Sequence, residues 1–223
     1  MKKIVLILAA FCFLLNKVSA QTYFSIATDF SVLRGFSPKQ HFFAMGQTVQ
    51  GNWHFSEKEG AYAWVDYYTN GKVRNKGVAT GIDSTANPQQ LNYTLSSLLR
   101  YRQISVGWKH YFKGSFNTEE NFNIYGTAGF GLLLAKATNT YSQYIDTAKY
   151  LTSFYPTPGA GNFKRLTFDL GLGAEIPIGA DIYFYTELRT WLQASDDYPS
   201  PYLINNNVPR ILSINGGMRV LLE

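Results

Sequence analysis

Once its first twenty residues are set aside, the chain contains no cysteine: the single one, Cys12, falls inside the opening stretch MKKIVLILAAFCFLLNKVSAQT. That absence excludes disulfides, thiol nucleophiles and thiolate metal sites. A second long apolar run is also missing, which excludes a membrane-spanning helix in the remainder. The opening stretch carries Lys2 and Lys3, an apolar segment from Ile4 to Leu15 too short to span a bilayer, and Val18-Ser19-Ala20, small residues where a signal peptidase reads. It predicts an export signal over 1–20, with the mature chain starting at Gln21. Charge is scarce, at 16% of residues against roughly 25% in soluble domains. Even the basic balance fades, because Lys2, Lys3 and Lys17 leave with the signal and take 20 Lys and Arg down to 17 against 15 acids. No basic stripe remains to argue for nucleic acid.

What the sequence does have is alternation. In LTFDLGLGAEIP, residues 166–177, large apolar side chains stand at 166, 168, 170, 172 and 176, with Thr, Asp, Gly, Gly and Glu between them. Such a strand lies between two different media. Eight segments of this kind are predicted, at 22–34, 41–56, 60–70, 99–112, 121–136, 163–177, 181–193 and 210–222. Most exceed the usual length of soluble strands and suit an oblique bilayer crossing. The connections SEKEGA, KGSFNTEE and IGAD are short, whereas 71–98, 137–162 and 194–209 are long. Short turns at one end and long polar loops at the other are the pattern of an outer-membrane barrel; only GFSPKQ departs from it.

The apolar parity includes Phe24, Ile26 and Phe30, then Phe43, Met45 and Val49, then Ile104, Val106 and Trp108, and Ile214, Met218 and Val220. No Lys, Arg, Asp or Glu interrupts these runs, as lipid demands. The other parity holds Asp29, Asp66, Lys109, Arg165, Asp169, Glu175, Glu187, Arg189 and Arg219. In a lumen just wide enough for side chains, these five acids and four bases are expected to form a network that neutralises itself and closes the pore. Phe24, Phe55, Phe112, Phe122 and Phe184 predict one aromatic girdle; Phe30, Phe43, Tyr67 and Phe168 predict the other. The opposite assignment, apolar side chains packed inside a soluble lipocalin-like barrel, would overfill a narrow lumen.

The export signal, eight amphipathic strands and terminal NGGMRVLLE together resemble small outer-membrane barrels of the OmpA/OmpX type. That resemblance implies an all-β, eight-stranded antiparallel up-and-down transmembrane barrel over 21–223, located in the bacterial outer membrane among its lipids. It also implies an assembly signal at Asn215, Gly217, Val220 and Leu222, read by the barrel assembly machinery; the chain departs from the pattern in ending on Glu223 rather than an aromatic residue.

No enzyme, cofactor or metal is expected. His41, Ser31 and Asp29 are the nearest approach to a lipid A-modifying constellation, and His54 with His110 to a metal pair, but neither spacing demands it. Glycine strings such as GTAGFGLL lack the lysine and the strand-to-helix setting of a phosphate loop, and are better explained as small residues where barrel strands bend or where bulky lumen neighbours need room. Function is sought in contacts with another outer-membrane protein. Gln47 and His110 are the only amide and imidazole on the lipid-facing wall. Tyr141, Tyr144, Tyr150, Phe154 and Tyr155 crowd one loop, where Tyr144, Ile145, Ala148 and Leu151 also have the spacing of a short amphipathic helical turn. Protein interaction, as a surface or scaffold barrel or an accessory subunit, is the leading expectation. The alternatives are a narrow porin, a lipid A-modifying enzyme and a soluble carrier.

Overall fold

The computed structural model describes residues 22–119, 121–152, 156–179, 181–194, 200–204 and 209–222. The expected export signal, Phe154 and Tyr155 lie outside them. The strands are β1 (Tyr23–Gly35), β2 (Phe42–His54), β3 (Glu59–Gly81), β4 (Gln90–Lys113), β5 (Asn123–Tyr141), β6 (Tyr150–Thr152), β7 (Gly159–Gly179), β8 (Ile182–Gln193) and β9 (Ile211–Leu222). All but β6 form one antiparallel ring, each pairing with its neighbours and β9 returning to β1. Within the ring, closure leaves no strand edge unpaired, the condition for strands to cross lipid. No helix among the described residues is long and apolar enough to cross a membrane.

Burial alternates residue by residue along the wall, in the phase expected from the sequence. In β1, Ser25, Ala27, Asp29 and Ser31 are buried while Ile26, Phe30 and Val32 are exposed. The nine charged side chains assigned to the lumen are all buried. One set of turns and both barrel termini share one end, here the turn end; the opposite end is the crown.

The crown is where sequence and structure part. Residues 71–98, expected as a loop, are mostly strand: β3 and β4 continue for ten further pairs, from Gly71↔Leu99 to Thr80↔Gln90. A bulge between Tyr68 and Gly71, with Asn70 at φ 62°, adds one residue to β3. The insertion reverses which parity of β3 faces outward, so Lys72, Arg74 and Lys76 point out where odd residues did below. At the hairpin tip, the hydroxyl and amide of Thr85 donate to Asp83 at 2.5 and 2.9 Å and hold its carboxyl below the usual carboxylate range.

The helical turn expected over 144–151 is reduced to a single hydrogen-bonded turn over 146–150, and Leu151 leaves it as strand. The backbone amides of Lys149 and Tyr150 donate to the Asp146 carbonyl, and β6 then adds to the β3 hairpin opposite Ala79, Thr80 and Gly81. Period-two burial replaces the helical one: Tyr150 packs with Ala79, Ala86, Tyr93, Leu95 and Ile145, while Leu151 points out.

On the outer wall, the charge-free band is shorter than the strands. Arg34, Arg100, Arg102, Lys136 and Lys164 are exposed on the lipid-facing parity near the crown, and Glu59 stands on it at the turn end. Between Arg102 and His110 on β4 the outward residues are Ile104, Val106 and Trp108, none of them charged. At about 3.3 Å per residue and a tilt near 40°, that interval is roughly 20 Å tall, close to the ~25 Å apolar band of such barrels. Because residues 21–223 contain no cysteine, single cysteines placed in the wall report the two faces cleanly once Cys12 is absent or replaced. A lipid-dissolved thiol reagent is expected to label Val106→Cys and Leu170→Cys and to spare Asp169→Cys; the inverse labelling would overturn the assignment of faces.

Candidate functional site

The lumen is filled in three layers. At the turn end, Glu175 accepts from Arg219 Nε at 3.0 Å and lies 3.7 Å from Lys109 Nζ. The Lys109 ammonium also sits 3.6 Å from the Tyr125 ring centroid and 4.8 Å from that of Tyr111, and the Arg219 guanidinium lies 4.0 Å from that of Tyr183. A neighbouring aromatic face favours a desolvated cation. Phe116, from the turn after β4, closes this mouth: its ring stacks on His54 at 4.5 Å, and its carbonyl accepts from Arg219 at 2.7 Å.

The middle layer is organised by Arg189. Its Nε donates to Glu187 at 2.8 Å, a second nitrogen reaches Gln50 at 3.0 Å, and Asp29 lies at 3.5 Å. The phenols of Tyr125 and Tyr185 donate to Glu187 and Asp29 at 2.9 and 2.8 Å. The expectation that the luminal charges all neutralise one another is corrected here. Asp169 accepts from Gln103 at 2.7 Å, and neither it nor Asp66 has a cation within 4.0 Å among the described residues. The neutral side-chain amide of Gln103 serves Asp169 instead. The void between these two acids and Arg189, bordered by Trp64 and Trp191, holds about 10 Å³, room for one water at most.

The third layer, beneath the crown, is mainly apolar and departs from the charged filling expected, although Arg165 is buried in it opposite Leu133 and beside the Phe163 ring. Leu33, Phe42, Tyr68, Leu99, Tyr101, Leu133 and Trp191 form one buried cluster, into which Leu203 descends from the loop after β8. The loop is pinned by Asn139, whose Nδ2 donates to the Tyr202 and Thr157 carbonyls at 3.0 and 3.1 Å. Leu33, Leu99 and Leu133 fall on the polar parity, and that is the available signal: apolar residues on the luminal face near one end mark a plug. Charges alone therefore do not close the lumen.

The histidines do not assemble chemistry. His41 is exposed beside the loop after β1, whereas Ser31 and Asp29 face the lumen. His54 also faces the lumen and pairs with Ser25 Oγ at 2.9 Å, while His110 faces outward and meets Glu59 at 2.6 Å. The two lie on opposite faces of the wall, so they cannot share a metal. Among the described residues no three His, Cys, Asp or Glu side chains form a metal-holding group. Glu59 also accepts from the Trp108 indole, giving the turn-end girdle an acid that the sequence pattern assigns to the turn.

The terminal residues fit their strand positions. Asn215 is buried and Val220 and Leu222 face outward. Gly217 lies so close to β1 that a Cβ there would come within 2.6 Å of Asp29 Cα, so the glycine has a packing role. Of the loop aromatics, Tyr141 and Tyr150 are committed to the crown itself: their hydroxyls donate to the Pro156 and Pro88 carbonyls at 2.8 and 2.9 Å. Tyr144 is 89% exposed. Beside it lies an open groove of about 550 Å³, lined by Tyr141, Ile145, Thr152, Pro156 and Pro158, and among the described residues none that lines it is charged.

No protein-family model and no curated protein sequence matches the chain. Solved structures do. Neisserial surface protein A superposes with a TM-score of 0.53 at 10% identity, over 88% of this chain and 96% of that one. A major outer membrane protein from Thermus thermophilus gives 0.53 at 13%, over 91% and 100%. Ail, the attachment invasion locus protein of Yersinia pestis, solved with the heparin analogue sucrose octasulfate, gives 0.50 at 11%, over 91% and 100%. With an apolar outer band, a closed ring of eight antiparallel strands and this likeness, the chain has the fold of a small outer-membrane β-barrel of the OmpA/OmpX type.

Proposed function

We propose that this outer-membrane barrel passes no solute, performs no catalysis and works through its crown, as a surface or accessory barrel that docks another protein. The supporting observation is the contrast between a lumen filled from Phe116 to Leu203 and a crown built well beyond the membrane on the β3–β4 hairpin. The uncharged groove beside Tyr144 and the outward Leu151, 66% exposed, suit an apolar protein segment, since a few well-packed anchors, aromatics foremost, dominate binding energy at interfaces. Gln47 is exposed on the wall, which makes it a secondary contact point beside a neighbouring barrel.

Two measurements test this reading. Planar bilayers containing the purified chain are expected to show no unitary conductance; discrete conductance steps would favour the narrow porin. A photocrosslinking residue at Tyr144 is expected to capture one discrete protein in intact cells, retained through mild detergent extraction and visible by native mass analysis, and lost when Leu151 is also changed to Ser. Capture of lipid alone, or of the chain's own loops alone, would count against docking at the crown.

A further inference from the structure

The outer wall is not evenly charged near the crown. Arg100 and Arg102 on β4, Lys136 on β5 and Lys164 on β7 occupy neighbouring outward positions: Arg100 is the cross-strand partner of Lys136, Arg102 of Leu134, and Leu134 of Lys164. Like charges placed directly opposite on a sheet face repel at about 5 Å between Cβ atoms. No acid compensates, since among the described residues none of the four lies within 4.0 Å of a carboxylate. Arg102 instead lies over the Tyr67 ring at 5.2 Å. By contrast the outward faces of β8 and β9 are uncharged throughout, and β1 and β2 contribute only Arg34.

Their height decides what they meet. The next outward row toward the turn end is Val65, Ile104, Leu132 and Leu166, and the one after it Ala63, Val106, Phe130 and Phe168. Arg102 and Lys164 therefore stand in the first row above the lipid-covered band and Arg100 and Lys136 in the row beyond it, on the loop side, around an open groove of about 410 Å³ that Tyr67 and Leu134 also line. A soluble anion would satisfy the charges but not the apolar rows directly beneath. A ligand with phosphate above and acyl chains below satisfies both.

We propose that Arg100, Arg102, Lys136 and Lys164 form a binding site for the phosphorylated headgroup of an outer-leaflet lipid, whose acyl chains lie along the β4–β5–β7 wall. Bound phosphate converts the repulsion between Arg100 and Lys136 into shared attraction, and the site gives the barrel a fixed lipid-bound side distinct from its β8–β9 side.

The test is native mass spectrometry of the delipidated full chain, titrated in detergent with bisphosphorylated lipid A, with its dephosphorylated form and with inorganic phosphate. One phosphorylated lipid is expected to bind, unaffected by millimolar inorganic phosphate. At about fivefold per cation near a membrane surface, each single substitution to Gln weakens binding about fivefold. The variant carrying all four, Arg100→Gln, Arg102→Gln, Lys136→Gln and Lys164→Gln, weakens it roughly a hundredfold or more, while Arg34→Gln leaves it unchanged. Equal binding of the dephosphorylated lipid would overturn the proposal in favour of a purely apolar wall, and displacement by inorganic phosphate would assign the site to a soluble anion. Undiminished binding by the fourfold variant would also overturn it. The lipid comparison reads on the unaltered chain, so it holds whatever the variants do to folding.

Discussion

Replacing Arg189 by methionine is expected to lower the unfolding free energy of the barrel by about 3–5 kcal/mol, the usual result of stripping the partner from a buried charge. Glu187 and Asp29 would remain in the lumen with only neutral donors, chiefly the phenols of Tyr125 and Tyr185. The same principle predicts recovery: combining Arg189→Met with Glu187→Gln and Asp29→Asn removes this cluster of charges together and should restore most of the loss, because a buried ion pair is worth little relative to a well-packed neutral substitute. Unfolding in denaturant from phospholipid vesicles, followed by tryptophan fluorescence, measures both. A single variant within about 1 kcal/mol of the parent, the size of one ordinary hydrogen bond, would mean that Arg189 does not organise the lumen.

The second large effect lies on the opposite face of the wall. Val106 is midway between Arg102 and His110 on the lipid side, and Val106→Arg is expected to destabilise the barrel by about 2–4 kcal/mol, falling toward about 0–1 kcal/mol for the same change made near either interface. Val106→Leu should be close to neutral. The depth gradient is the informative part: Ile104→Arg should fall between the midplane value and the small effect of Arg102→Leu. A flat profile along 102, 104 and 106 would place these residues in water rather than lipid.

The wall was legible because its two faces meet media with opposite demands, so every strand repeats the same two-residue signal. Phe30 and Asp29 need no knowledge of the fold to be sent to opposite sides. Partner choice within the lumen was not legible, because it depends on which side chains meet across the ring: Arg189 reaches Gln50, far away in sequence, and Gln103 serves Asp169. Phe116 was hidden for another reason, since a turn residue has no alternation to reveal that it folds inward. The hairpin above Gly71 was lost at the bulge, where one inserted residue reverses the phase of β3 and makes a continuous strand look irregular. The cations near the crown were visible as residues but not as a group. Arg100, Arg102, Lys136 and Lys164 come from three strands, and only the register sets them side by side.

The extended β3–β4 hairpin also sets how far the molecule reaches. Ten rungs at about 3.3 Å each give a ladder of roughly 33 Å, and a ladder with alternating faces changes length only in even steps. Deleting two residues from each strand would lower its tip by about 7 Å and keep Tyr93 turned inward. Deleting one from each would swing that ring into water. Distance from the leaflet is thus a quantised property of this protein, adjustable in whole pairs and in nothing smaller.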